Sequence, residues 1–297
     1  MLTRRRCIAI SAAAFPTAAL PFSPDLHVET AVALGAKVTL RLEHPEAPRL
    51  AALAMAEIRR LEAIFSLYLP QSSLTQLNQA GYLAAPPFEL LDCLSIAGAV
   101  HRASGGRFDP TIQPLWQAEA MALERRRPLS AEERKSVADK IGWDKVVLGP
   151  DAISLLPGMS LTLNGIAQGY IADRIADLLA DHGLTRALID TGELRALSDG
   201  QWPVRLGDRK MMLQNRAVAT SAPFGMTFGG DGRTSHIIDP ETVRPTRPFW
   251  QSVSISAPSA GLADALSTAA CLTEVKEAID AMCDRCPGAS LETAIPL

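Results

Sequence analysis

Late in the chain, Ala263-Asp264-Ala265-Leu266-Ser267-Thr268 sets a carboxylate and a hydroxyl four residues apart. On a helix that spacing places both on one face. Both are hard oxygen donors, and with a backbone carbonyl and substrate phosphate oxygens they would make a Mg²⁺ site. A structural alternative has Asp264 complementing a helix N-terminus while Thr268 packs. Earlier, His236-Ile237-Ile238-Asp239-Pro240 puts an imidazole and a carboxylate three residues apart at the end of a predicted strand. An unperturbed imidazole titrates near neutrality, so His236 suits a general base or phosphate donor; Asp239-Pro240 is equally an ordinary turn signature.

Two further stretches carry usable groups. In Gly105-Gly106-Arg107-Phe108-Asp109-Pro110-Thr111, Phe108 can pack against a planar ring and Asp109 can accept an amino proton. Asp109 can instead cap a helix that starts at Pro110. Val218-Ala219-Thr220-Ser221 ends a predicted strand on two hydroxyls, which would bind phosphate or simply close the strand.

The stretch Leu161 to Asp173, LTLNGIAQGYIAD, is the element best suited to position these groups. Apolar residues alternate over Ser160 to Leu163, as in a strand, and Ile166, Tyr170 and Leu178 then recur at helical spacing. The helix is expected to stop at Gly183, with Arg186 to Asp190 following as a second strand. A helix opening on Gly165-Ile166-Ala167 has no bulky side chain over its first turn. Free N–H groups and the positive end of the dipole would there face an anion such as a phosphate.

The remaining chain predicts a hairpin over Val28 to Leu42 and helices over Leu50 to Phe65 and Phe88 to Ser104. Capping-box spacings at Ser73/Gln76 and Ser130/Glu133 start two more helices. Trp143 to Leu156 reads as a hairpin, Trp202 to Phe228 as strand-rich, Ser252 to Ala257 as a strand and Leu262 to Ala270 as a helix start. Strands and helices are intermixed throughout residues 28–297 without repeats, which predicts one α/β or α+β domain with mixed β-sheets flanked by helices.

With 297 residues, 47% of them hydrophobic, the chain can bury a sizeable core. Its net charge of -3 and pI near 6.0 give no basic surface, and nucleic-acid binding is excluded as a reading. Thr3-Arg4-Arg5-Arg6, an alanine-rich apolar stretch to Leu20 and Thr17-Ala18-Ala19 have the layout of a secretory leader. The arginines favour the twin-arginine route, so residues 1–19 are expected to be removed and the mature chain to be periplasmic. Cys283 and Cys286 form a CxxC that suits a disulfide or half of a metal site, whereas Cys93 and Cys271 read as buried.

GGRFDPT, NGIAQGYIAD, IDTGEL, ATSA, HIIDP and ADALSTAA occur in that order and together resemble the ApbE family, the FAD:protein FMN transferases. The likeness runs from about Ser66 to Cys271, and Ser66-Leu67-Tyr68 with Ser72, Ser73 and Asn78 is similar to the family's first motif. It implies a single ApbE-like domain that takes FAD as substrate, uses Mg²⁺, and transfers FMN to a Thr or Ser hydroxyl of an acceptor protein, releasing AMP. On the family pattern the side chains of Asp264 and Thr268 would hold the metal, with backbone oxygens from Gly165 and Ser267. Tyr68, Phe108 and Asp109 would lie at the nucleotide end, with Ala167, Gln168, Thr220 and Ser221 near phosphate or flavin. His236 would stand near the diphosphate or acceptor hydroxyl, and either it or Asp239 would take the proton.

Departures bear on this expectation. Members commonly have lysine where Gln168 stands, an acid at Thr162, a further glycine at Asn164 and a glycine in place of Ala222-Pro223. Gln168 donates a hydrogen bond but brings no charge. The leader together with LNGIAQGY resembles an exported subgroup that includes the NosX type, which implies a membrane-anchored or periplasmic electron-transfer protein as acceptor. Two other activities would use the same pocket: a flavin carrier without turnover, and an FAD pyrophosphatase in which water replaces the acceptor hydroxyl.

Overall fold

The computed structural model describes residues 26–33, 35–228 and 234–297. The expected leader, residues 1–19, lies outside them. Strand β1 (Leu26–Ala33) turns at Gly35, whose φ of 73° suits glycine, into β2 (Ala36–Glu43), where Val38, Leu40 and Leu42 are buried at alternate positions. β3 (Ala187–Asp190), β4 (Leu194–Ala196), β5 (Ala217–Ser221), β6 (Trp250–Ala257) and β7 (Ser290–Pro296) continue the sheet in chain order, each pair antiparallel.

Period two assigns the sheet two faces. Ala187 and Ile189 join the main core on one side; Leu188 points to the other, where a hairpin of Trp202–Leu206 and Arg209–Leu213 covers it with Trp202, Val204 and Leu206. The helices are α1 (Ala47–Phe65), α2 (Ser73–Ala80), α3 (Phe88–Ala103), α4 (Gln113–Glu124), α5 (Ala131–Ala138), α6 (Ala167–Asp181), α7 (Ala260–Ala270) and α8 (Lys276–Asp284). α1, α6 and α7 cover the face opposite the hairpin, where α7 crosses β5 and β6. Among the described residues no helix is long and apolar enough to cross a membrane.

Local chemistry sets the helix ends. Glycines 105 and 106, both at positive φ, stop α3, and the Ser130/Glu133 capping box starts α5 with both of its hydrogen bonds made. At α2 the cap is Ser72, one residue before the expected Ser73, because its Oγ accepts from the Thr75 N–H while Gln76 donates to the Gln71 carbonyl. α4 runs on directly from the turn at Pro110, and its buried Leu115, Ala118 and Ala122 lie one helical turn apart.

The expected strand over Ser160 to Leu163 is not one. Leu161 and Leu163 are buried as the alternation requires, but the segment's hydrogen bonds go to Asn78, which donates to and accepts from Leu161 at 2.9 and 2.7 Å, and from the Thr162 N–H to the Pro110 carbonyl. Residues 82–84, 147–148 and 152–154 instead form a small three-stranded sheet. Cys93, Cys271, Cys283 and Cys286 are buried free thiols.

Candidate functional site

The crossing of α6 and α7 brings some of the predicted groups together. A Cβ on Gly169 would lie 2.2 Å from the Ala260 carbonyl oxygen, so only glycine lets the two helices approach this closely. Asp173, one turn along α6, accepts the N–H groups of Ala260 and Gly261 at 2.7 and 2.8 Å and so fixes the start of α7. Burial raises its carboxyl to about 6 despite those bonds and an Arg195 guanidinium 3.4 Å away.

With that crossing fixed, Asp264 and Thr268 point back at the α6 entry. A Cβ on Gly165 would sit 2.9 Å from Thr268 Oγ1 and 3.3 Å from the Phe108 ring. Ser267, fully buried, donates to the Asp264 carbonyl at 3.0 Å, and the Ser221 hydroxyl lies 2.7 Å from Ser267 Oγ and 3.3 Å from Thr268 Oγ1. Gly165, Phe108, Ser221, Asp264, Ser267 and Thr268 are therefore one cluster. It is rich in oxygen and poor in positive charge.

The N-terminus of α6 is less open than its composition suggests. The Ala167 N–H is taken by the Leu163 carbonyl, and the Gly169 N–H is directed at Asp264 Oδ2, 3.4 Å away. The positive end of the dipole thus faces the protein's own carboxylate. Burial nevertheless pushes Asp264 above the ordinary carboxylate range, the Gly169 N–H opposing the shift and the Asp173 charge adding to it. A carboxylate held this way wants a cation.

Gln168 turns its side chain to the β3–β4 turn: its Oε1 lies 3.1 Å from where a Gly192 Cβ would be, and its carbonyl accepts from the Thr191 hydroxyl at 2.9 Å. Thr220 Oγ1 is paired with Ser254 Oγ at 2.9 Å, which ties it to the sheet, while Ser221 faces the cluster.

His236 is held by carbonyls of the loop that follows Ser221. Its Nδ1 lies 2.8 Å from the Met226 carbonyl and 3.2 Å from that of Pro223, so Nδ1 carries the hydrogen and Nε2 is the acceptor of the neutral ring. Burial holds its pKa below the ordinary 6.5, with the two carbonyls pulling the other way. Asp239 has both oxygens engaged in a turn, Oδ1 by the Glu241 N–H and Oδ2 by the Thr242 hydroxyl, each at 2.9 Å. Among the described residues no hydrogen bond engages His236 Nε2, whereas both Asp239 oxygens are engaged.

Asp109 fills the capping role: Oδ1 accepts from the N–H and hydroxyl of Thr111 at 2.8 and 2.6 Å, starting a short 3₁₀ turn at Pro110. It still lines a groove of about 360 Å³ together with His101, Trp143 and Asp239. Tyr68 is exposed on the loop between α1 and α2.

Two residues with no role in the sequence reading belong here. Asp173 is the clamp described above. Glu193, 8% exposed, accepts the Thr220 N–H at 3.2 Å and is pushed well up by burial and then by the Asp264 charge. An acid placed directly after a turn glycine, in IDTGEL, was the available signal.

The comparisons fit this geometry. A sequence model of the ApbE family matches residues 34–289. A protein of Treponema pallidum (strain Nichols) is 30% identical over 247 residues, 71% of this chain and 68% of its own, and one of Klebsiella pneumoniae (strain 342) is 28% identical over 76% of each; both are named FAD:protein FMN transferase. Among solved structures, the ApbE protein of Thermotoga maritima superposes with a TM-score of 0.80 at 25% identity, covering 90% of this chain and 93% of that one. The apo flavinyl transferase ApbE of Pseudomonas stutzeri gives 0.75 at 24% identity over 88% of each chain, a likeness of fold. With more than half its length matched by the family model, the chain belongs to the ApbE family.

Proposed function

We propose that this chain is an FAD:protein FMN transferase that uses Mg²⁺ and attaches FMN to a Thr or Ser hydroxyl of an acceptor protein, releasing AMP. The observation that carries the reading is Asp264: buried at the α6–α7 crossing, it has no basic side chain paired with it among the described residues, and it shares its turn of α7 with Ser267 and Thr268, whose hydroxyls meet that of Ser221. The donors fit the ion, because a carboxylate, hydroxyls and the Gly165 and Ser267 carbonyls are the hard oxygens that Mg²⁺ prefers. When bound there, Mg²⁺ would supply neutralisation of the diphosphate charge.

The chain's own residues divide the remaining work. Gly165, without a Cβ, lets Thr268 and the Phe108 ring pack directly against the backbone at the entry to α6. His236, neutral and with Nε2 as acceptor, takes the proton of the incoming hydroxyl. The hydroxyl oxygen then bonds to the FMN-side phosphorus, the bond from that phosphorus to the bridging oxygen breaks, and AMP leaves with the bridging oxygen. Export to the periplasm and an electron-transfer acceptor rest on the leader-like residues 1–19 and the resemblance of LNGIAQGY to an exported subgroup.

Incubation with FAD, Mg²⁺ and a pool of Thr- and Ser-containing peptides, followed by mass spectrometry, tests the reading. A peptide gaining the mass of FMN is the expected result. Free FMN and AMP without adduct would make the chain a pyrophosphatase, and intact bound FAD would make it a carrier.

A further inference from the structure

Asp264 is not the only carboxylate buried at this crossing. Glu193 stands on the tight turn between β3 and β4, held from three sides: the Gly192 N–H donates to Asp190 Oδ1 at 3.2 Å, Gly192 rests on the Gln168 amide, and the Thr191 hydroxyl donates to the Gln168 carbonyl. Gly192 has a φ of 106°, which favours glycine and directs the following Glu193 inward. One oxygen, Oε2, accepts the Thr220 N–H at 3.2 Å. The next residue, Ser221, reaches Ser267 and Thr268 with its hydroxyl.

Among the described residues no Lys, Arg or His forms an ion pair with either Glu193 or Asp264; the nearby Arg195 guanidinium goes to Asp173 instead. Gln168, on whose amide the turn rests, brings no charge. Two buried carboxylates without a basic partner must either keep their protons or share a cation. One hydrogen bond from a backbone amide is a small offset for a buried charge.

We propose that Glu193 is a positioning residue of the cation site, supplying the second negative charge that binds the divalent ion tightly where Gln168 leaves no positive side chain. This rests on the reading of Asp264 as a metal ligand. Calorimetric titration of Mg²⁺ into the full chain without FAD tests it, using wild type, Glu193→Gln and Asp264→Asn, alongside melting temperatures in chelator.

Glu193→Gln should weaken Mg²⁺ binding about tenfold or more, the usual effect of losing a carboxylate that supports a metal site. Its melting temperature in chelator should equal or exceed that of wild type, since the Gln amide oxygen still accepts from Thr220 and the side chain can no longer ionise in a buried position; a purely structural Glu193 would lower it. If Glu193→Gln does not fold, Glu193→Asp keeps the charge one methylene shorter and should still weaken binding about threefold or more. Wild-type affinity in whichever variant folds, with Asp264→Asn unable to bind, would overturn the role of Glu193 and leave the cation site standing. No saturable Mg²⁺ binding by wild type would overturn both.

Discussion

The hydroxyl of Thr268 lies 2.9 Å from the point where a side chain on Gly165 would begin. Gly165 is not at positive φ, so its backbone would tolerate any residue, and proximity alone requires glycine. Gly165→Ala should cost about 1–3 kcal/mol through overpacking. It should also lower FMN transfer more than thermal stability, because Thr268 is the group displaced. Parallel melting curves and transfer rates check this; a variant with a lowered melting temperature but wild-type turnover would remove Thr268 from the site.

Gly169 presents the same demand in harsher form. Its missing Cβ would lie 2.2 Å from the Ala260 oxygen and 2.5 Å from the Ala260 carbonyl carbon, backbone atoms that cannot rotate away. Gly169→Ala should force α6 and α7 apart, losing about 3 kcal/mol or more. Gly261→Ala, with the Tyr170 backbone 3.3 Å away, should cost less. Urea denaturation of both variants ranks them, and equal midpoints would contradict the close crossing.

Asp264 links the cation site to pH. Its carboxyl is raised in the folded chain by burial, so between the ordinary value of 3.8 and the raised one the folded state holds more protons than the unfolded state. Stability from this group is therefore largest at low pH and is lost as pH rises through that interval. Without divalent cations, Asp264→Asn should melt higher than wild type at pH 8, and saturating Mg²⁺ should stabilise only wild type. Thermal melts at two pH values, with chelator and with Mg²⁺, decide it.

For His236 the sign is reversed. Burial holds its pKa below 6.5, so the neutral base persists to lower pH and the acid limb of kcat/KM for transfer should have its midpoint below 6.5. As pH falls below 6.5 the unfolded chain takes up this proton first, and stability declines. His236→Ala should lower the rate about 10²–10⁴-fold while FAD binding is kept. An acid limb unchanged in His236→Ala would assign the proton to another group.

The parts of the fold that were legible from the sequence are those governed by local chemistry. Gly35, the paired glycines after α3 and the Ser130/Glu133 box act within a few residues, and each marks its boundary. The Asp264–Thr268 face was legible for the same reason, since four residues on a helix define it. Leu161 to Leu163 misled because alternation reports burial, and Asn78, more than eighty residues earlier, supplies the partners a ladder would have given. Asp239 and Asp109 show the converse: DP is both an acid and a turn, and at each site the turn takes hydrogen bonds that chemistry would have used. Asp173 was silent because its role exists only once α7 lies across α6, and Glu193 showed only as an acid after a turn glycine, its partner Thr220 lying on another strand.

The most direct measurement follows AMP formation from FAD by the wild-type chain with a Thr-containing acceptor peptide, in Mg²⁺ and in chelator, beside Asp264→Asn. AMP formed in Mg²⁺, abolished by chelator and lowered at least about a hundredfold in Asp264→Asn is the expected result. Equal AMP formation with and without the ion, or full activity in Asp264→Asn, would contradict a cation held at the α6–α7 crossing.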